Sequence, residues 1–226
     1  MFSYQIQNPA NILQENYYVV PFGHRCSSAL VCKYASLRKF SLPFDWTIPL
    51  FPKCIQHVLE NEFSEFVPDV RSGIFENKYG IRLAHFNIDV EEGCREYTRR
   101  IQRMNELLND DSKHIYFVYI NEDHLYDPFY RTDEFDRRNF MEMVELEQWI
   151  RKKYPHLHFH ILYFNFREQC IPDGSNIINI VLNTGVVYDY FVPSYAEDFR
   201  NYCGKIMTHL FNTQLELGYT DEIFLA

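Results

Sequence analysis

The run His114–Ile120, HIYFVYI, constrains the fold of this chain more than any other. It is almost wholly apolar or aromatic, with no alternation that would leave one side for water. Such a strand is covered on both faces, which places it inside a mainly parallel sheet with helices above and below. The neighbouring sequence supplies those helices. Tyr97, Ile101, Met104 and Leu108 recur at helical spacing within Cys94–Asn109. Beyond a polar, aromatic loop over 121–131, Phe140, Met143, Leu146 and Ile150 form the apolar stripe of a helix over 134–153, capped by Asp133. Pro155 ends that helix, and the strand His156–Phe166 follows.

The rest of the chain repeats the alternation. Tyr17–Val20 reads as a buried strand, punctuated by Pro21 and Gly23 and followed by a helical pattern in Ala29, Leu30, Tyr34 and Leu37. Pro52–Phe66 is predicted helical, with Ile55, Val58 and Leu59 on its apolar face and Pro49 and Pro52 before it. The stretch 67–80 reads as loop, and Ile81–Ile88 as a short strand carrying His85 near its end. Asp173-Gly174 marks a turn, Ile177–Leu182 a strand, and Ser194–Asn212 a last helix. The order predicts one α/β domain over 1–226, a three-layer arrangement with a mostly parallel, Rossmann-like sheet. Residues 1–16, read as irregular or weakly helical, and 213–226 are expected at its periphery.

Composition narrows the function classes. A net charge of −9 argues against general nucleic-acid binding, which draws on Lys and Arg at phosphates. No apolar run approaches a membrane span, and Met1–Asn11 lacks the apolar segment of a secretory leader. The cysteines (Cys26, Cys32, Cys54, Cys94, Cys170 and Cys203) are scattered without a C-x-x-C pair, so reduced thiols and a cytoplasmic location are expected. The sequence leaves the oligomeric state open.

Sites in open α/β sheets form beyond the carboxyl ends of the strands, at a switch point in strand order. Three segments are expected there: Gly23-His24-Arg25-Cys26, His85, and Asn121-Glu122-Asp123-His124. Cys26 falls near a helix N-terminus, where unpaired amides favour negative charge, so its thiol is expected to ionise readily and to serve as a nucleophile. A thiol nucleophile needs a base and a group that orients it. His85 is the preferred base and His24 the second, with Asp45 or Asp89 as orienter and the amides of Ser27 and Ser28 as an oxyanion site. Against this stands the ordinary behaviour of free cysteine as a small buried hydrophobe. The same turn also suits a phosphate, bound by Gly23, His24 and Arg25, although both G-x-G-x-x-G and the P-loop pattern are absent. Phe44 and Trp46 could then stack on a sugar or base.

Other clusters have plainer readings. His156, His158 and His160 share a strand face that permits a metal, but a half-exposed strand explains them, and no metal or cofactor is expected. Arg99-Arg100 reads as a solvated or salt-bridged pair that could also bind an anion. Glu122-Asp123 with Asp127 reads as a solvated acidic loop.

The segment G-H-R-C-S-S-A-L, with S-L-P-F-D-W following, resembles a family catalogued as papain-like cysteine peptidases. The resemblance extends over about 17–165, through His85, Tyr97-Thr98-Arg99-Arg100 and the strand Ile115–Ile120. It implies a cysteine-dependent hydrolase acting on a peptide, isopeptide or other acyl group through Cys26 and His85, and the reading of the residues adds Asp45 as orienter. Gly23, His24, Arg25, Ser41, Phe44, Trp46, Arg99 and Arg100 would bind substrate. Phe86 stands where members of that family often carry an acidic residue after the histidine. The family label also implies a papain-like α+β fold, in contrast to the alternation above. Members occur near polysaccharide-building genes, which implies an alternative: a glycosyltransferase or sugar-nucleotide-binding domain with a glycan substrate. A third reading is a non-catalytic interaction domain in which Pro43-Phe44-Asp45-Trp46 anchors the core.

Overall fold

A computed structural model describes residues 3–12, 15–67, 76–83, 90–122, 132–183 and 193–213. Its centre is a five-stranded sheet in the order β1-β7-β6-β5-β2. Here β1 is Ser3–Gln7, β2 Tyr17–Gly23, β5 His114–Ile120, β6 His158–Asn165 and β7 Ile177–Asn183. Strands β2, β5, β6 and β7 run parallel, and β1 closes the β7 edge antiparallel. A two-stranded ribbon, β3 (Thr47–Ile48) with β4 (Arg82–Leu83), lies apart from it. The helices are α1 Ser27–Tyr34, α2 Pro52–Glu60, α3 Val90–Leu108, α4 Asp133–Lys153 and α5 Pro193–Phe211.

The β5 run is apolar throughout because both its faces are covered. Ile115, Phe117 and Tyr119 enter one core with Phe22, Phe159, Ile161 and Tyr163, under Val58 of α2, Met104 of α3 and Met143 of α4. Tyr116, Val118 and Ile120 point the other way, into a second core with Leu162, Phe164 and Ile180, under Val31 of α1 and Phe199, Ile206 and Met207 of α5. Successive strand residues face opposite sides, so one continuous apolar run serves two cores. The three-layer α/β domain with a mostly parallel sheet therefore stands. The papain-like α+β arrangement does not: the Cys26 helix packs on β2 of the parallel sheet.

Several local expectations need correction. Residues 3–7, read as irregular or weakly helical, form β1. Of the run 81–88 only 81–83 lie within the described residues, and there Arg82–Leu83 pairs with Thr47–Ile48 in the separate ribbon. The α2 helix stops at Glu60, after which Glu62, Phe63 and Glu65 adopt positive φ and cannot continue it. Thr132, and not Asp133, caps α4: it is extended, and its Oγ1 accepts the Phe135 N–H at 3.2 Å. The parallel strands also advance in one direction across the sheet, so their order contains no switch point. Among the described residues, no helix is long and apolar enough to cross a membrane.

Candidate functional site

The carboxyl end of β2 leads directly into the turn that carries Cys26. Gly23 has φ +91°, and a Cβ there would lie 2.6 Å from Leu50 Cδ2 and 2.9 Å from Leu50 Cβ. Only glycine satisfies both conditions. The turn is fastened by the Ser28 hydroxyl, which donates to the Gly23 carbonyl at 2.7 Å, and by the Leu50 N–H, which donates to the His24 carbonyl at 2.9 Å. Cys26 occupies the N-cap of α1, and its carbonyl accepts the Leu30 N–H at 3.0 Å. Its thiol packs with Leu30 and Tyr34 and against Trp46 and Ile48.

That packing overturns the expected ionisation. Cys26 is 3% exposed, and its thiol is pushed up to about 12. Burial is the main cause and the Glu122 carboxylate the second, against the weaker pull of Arg200 and Arg25. Desolvation outweighs the helix terminus, because a thiolate loses far more in leaving water than one terminus returns.

The S-L-P-F-D-W turn is folded around Asp45, which is buried. Its Oδ2 accepts from Arg38 Nε at 3.0 Å, Arg38 Nη2 at 2.5 Å and the Leu42 N–H at 3.1 Å. Burial raises the Asp45 carboxyl despite Arg38 and the more distant Arg100. Ser41 serves the same turn: its Oγ accepts from Arg38 Nη2 at 2.9 Å and its carbonyl from Arg103 Nη1 at 3.2 Å. Phe44 is a core residue, edge-on to Phe22 and Phe66 with ring centroids 5.7 and 5.8 Å away. Trp46 is half-buried, with the Arg38 guanidinium 5.4 Å from its ring centre. On α3, Arg99 is exposed, whereas Arg100 is buried, paired with Glu96 and 4.7 Å above the Tyr97 ring. His24 is buried, its ring 4.8 Å from that of Phe51. His85, Asp89, Asp123, His124 and Asp127 lie outside the described residues.

Residues 17–72 match the family described as "Putative papain-like cysteine peptidase". No curated protein and no solved structure matches the chain. The matched stretch holds β2, the Gly23 turn, Cys26, α1, the Asp45 turn and α2, and stops short of His85.

Two further polar residues lie at this end of the sheet, one in a segment the sequence places there and one it does not single out. Glu122 does not sit in a solvated loop: it is 1% exposed, and its Oε2 accepts from the Ser27 hydroxyl at 2.6 Å. Arg200 of α5 donates through Nε to the same hydroxyl at 3.2 Å. The sequence places Glu122 at the carboxyl end of a strand buried on both faces, but reads it as solvated rather than buried. Arg200 offers no such signal within an ordinary amphipathic helix. The histidines at the opposite end also differ from expectation. His158 and His160 lie on β6, while His156 precedes the strand, and among the described residues no group of three potential ligands is placed for a metal. A cleft of about 590 Å³ opens between α4 and 167–170, lined by Asp133, Asp136 and Arg167 among others, and by none of the nominated site residues.

Proposed function

We propose that the chain is a cysteine-dependent acyl hydrolase of the peptidase class with Cys26 as nucleophile. The observation that carries this reading is the position of Cys26, at the N-cap of a helix that leaves the carboxyl end of a parallel strand, within the segment matched by the peptidase family. The amides of Ser27 and Ser28 open that helix and are the natural donors to a developing oxyanion. The raised thiol dictates the order of proton transfer. With its midpoint near 12, Cys26 holds no standing thiolate at neutral pH. The base must therefore take the S–H proton as sulfur bonds to the acyl carbon, and return it to the departing amine as the C–N bond breaks. Water then cleaves the thioester, regenerating the thiol. His85 is assigned as that base, with His24 the second choice.

Cys26→Ala and His85→Ala tested against a panel of peptide and isopeptide substrates decide the matter. Each should lower turnover by about a thousandfold or more while leaving the melting temperature within a few degrees. Full turnover by folded Cys26→Ala ends the hydrolase reading. It would leave the interaction-domain reading, which the near-complete burial of Cys26 favours.

A further inference from the structure

The Ser27 hydroxyl, next in sequence to Cys26, is gripped from two elements. It donates to Glu122 Oε2 at 2.6 Å, from the residue pair that follows β5, and accepts from Arg200 Nε of α5 at 3.2 Å. Glu122 is fully buried, and its other oxygen, Oε1, has no hydrogen-bond partner among the described residues. A buried carboxylate with one oxygen unsatisfied is costly, and a chain selected for stability alone has apolar replacements available. Burial raises the Glu122 carboxyl, opposed by Arg200 from α5, by the Ser27 hydroxyl and by His24 and Arg25 from the turn after β2, and the Cys203 thiol of α5 lies within its field. Cys26 in turn feels Glu122, Arg200 and Arg25, and itself acts on Tyr97 of α3.

We propose that Glu122 and Arg200, both bonded to the Ser27 hydroxyl, are a pair of opposed positioning residues that set how readily Cys26 gives up its proton. Burial holds the thiol protonated at rest, Glu122 tightens that hold and Arg200 limits it, so the site stays inert to stray electrophiles until a substrate and the base are in place. A substrate group that donates to Glu122 Oε1 would weaken the carboxylate's field and release the thiol. The inference rests on the proposed role of Cys26, but its test needs no turnover.

The test is the rate of Cys26 labelling by iodoacetamide, read by peptide mass spectrometry on the folded full-length protein from pH 7 to 10. Glu122→Gln removes the negative charge and keeps an acceptor for Ser27; labelling at a given pH should accelerate by about tenfold, the profile moving down by about one unit. Arg200→Gln should do the opposite and slow labelling by several-fold. Loosened packing would accelerate labelling in both variants, so opposite signs are the signature of charge. Equal signs, or Cys26 as slow in folded Glu122→Gln as in the parent, overturn the proposal. Should Glu122→Gln fail to fold, Arg200→Gln decides alone, and faster labelling there overturns it. Opposite signs together with a fully active Cys26→Ala would sink the hydrolase reading and leave the charge pair standing.

Discussion

His114 Nε2 and His160 Nδ1 lie 2.7 Å apart across the β5–β6 ladder, sharing one proton between two stacked rings. Burial drives His114 down to about 4, with the charges of His160 and His158 adding to it, and burial lowers His160 as well. Both rings are thus held neutral by the fold.

That pair predicts acid sensitivity. Between about pH 6.5 and 4 the unfolded chain binds protons that the folded one refuses, so stability rises with pH across that window. The contribution is complete above about pH 6.5 and is lost as pH falls towards 4. Discounted for solvent around half-buried rings, it should amount to about 1–2 kcal/mol. Urea titrations at a series of pH values should show the slope, and His114→Gln should flatten it.

The Gly23 turn should tolerate no side chain. Gly23→Ala combines a positive φ with a Cβ inside the contact distance of Leu50, which predicts a loss of about 2–4 kcal/mol. Leu50→Ala in the same chain removes the 2.6 Å contact with Cδ2 but neither the φ nor the Cβ contact, so the double variant should recover only part of the loss beyond additivity. Chemical denaturation of the four chains measures both quantities.

Asp45 should behave as a structural charge. Asp45→Asn strips the partner from Arg38 inside the S-L-P-F-D-W turn and is expected to cost about 2–4 kcal/mol. Replacing both residues, as Asp45→Asn with Arg38→Met, should cost less than the sum of the single changes, because no charge is then left unpaired. A strictly additive cycle would argue that the pair is not coupled.

Thiol labelling should follow burial. At pH 8 an alkylating reagent should reach exposed Cys170 first, then half-buried Cys54 and Cys94. Buried Cys26, Cys32 and Cys203, all raised, should react far more slowly, Cys26 speeding up only as pH rises towards about 10. A Cys26 that labels before Cys170 would contradict the protonated resting thiol.

What the sequence discloses here follows from what each signal depends on. The strands β5 and β6 and the helix α4 are legible because burial writes a local period: every residue of HIYFVYI after His114 is buried, and the α4 stripe repeats at helical spacing. Strand β1 is not legible, since Ser3–Gln7 is short, polar and only partly covered, and its identity comes from a partner far along the chain. The position of Cys26 at the start of α1 is likewise local and was readable from the glycine turn. Its chemistry was not. The Glu122 carboxylate and the covering side chains Trp46 and Ile48 arrive from other elements, and they reverse the effect of the helix terminus. Ser41 and Phe44 show the same limit: a fairly specific motif reads as a binding surface, yet these two residues close a turn and fill a core.

The antiparallel edge has a consequence for how the chain is made. Ser3 lies opposite Asn183 and Gln7 opposite Asn179, while Asn8 Nδ2 donates to the Ser175 and Ile177 carbonyls. Ser3–Gln7 precedes its partner by more than 170 residues and must therefore wait, unpaired, until β7 has been synthesised. Until it docks, β7 presents Ile178, Ile180 and Leu182 along an open sheet edge, a ready template for a strand from another chain. An N-terminal tag or truncation that delays β1 should thus appear as intermolecular association during expression, with the core of the domain already formed.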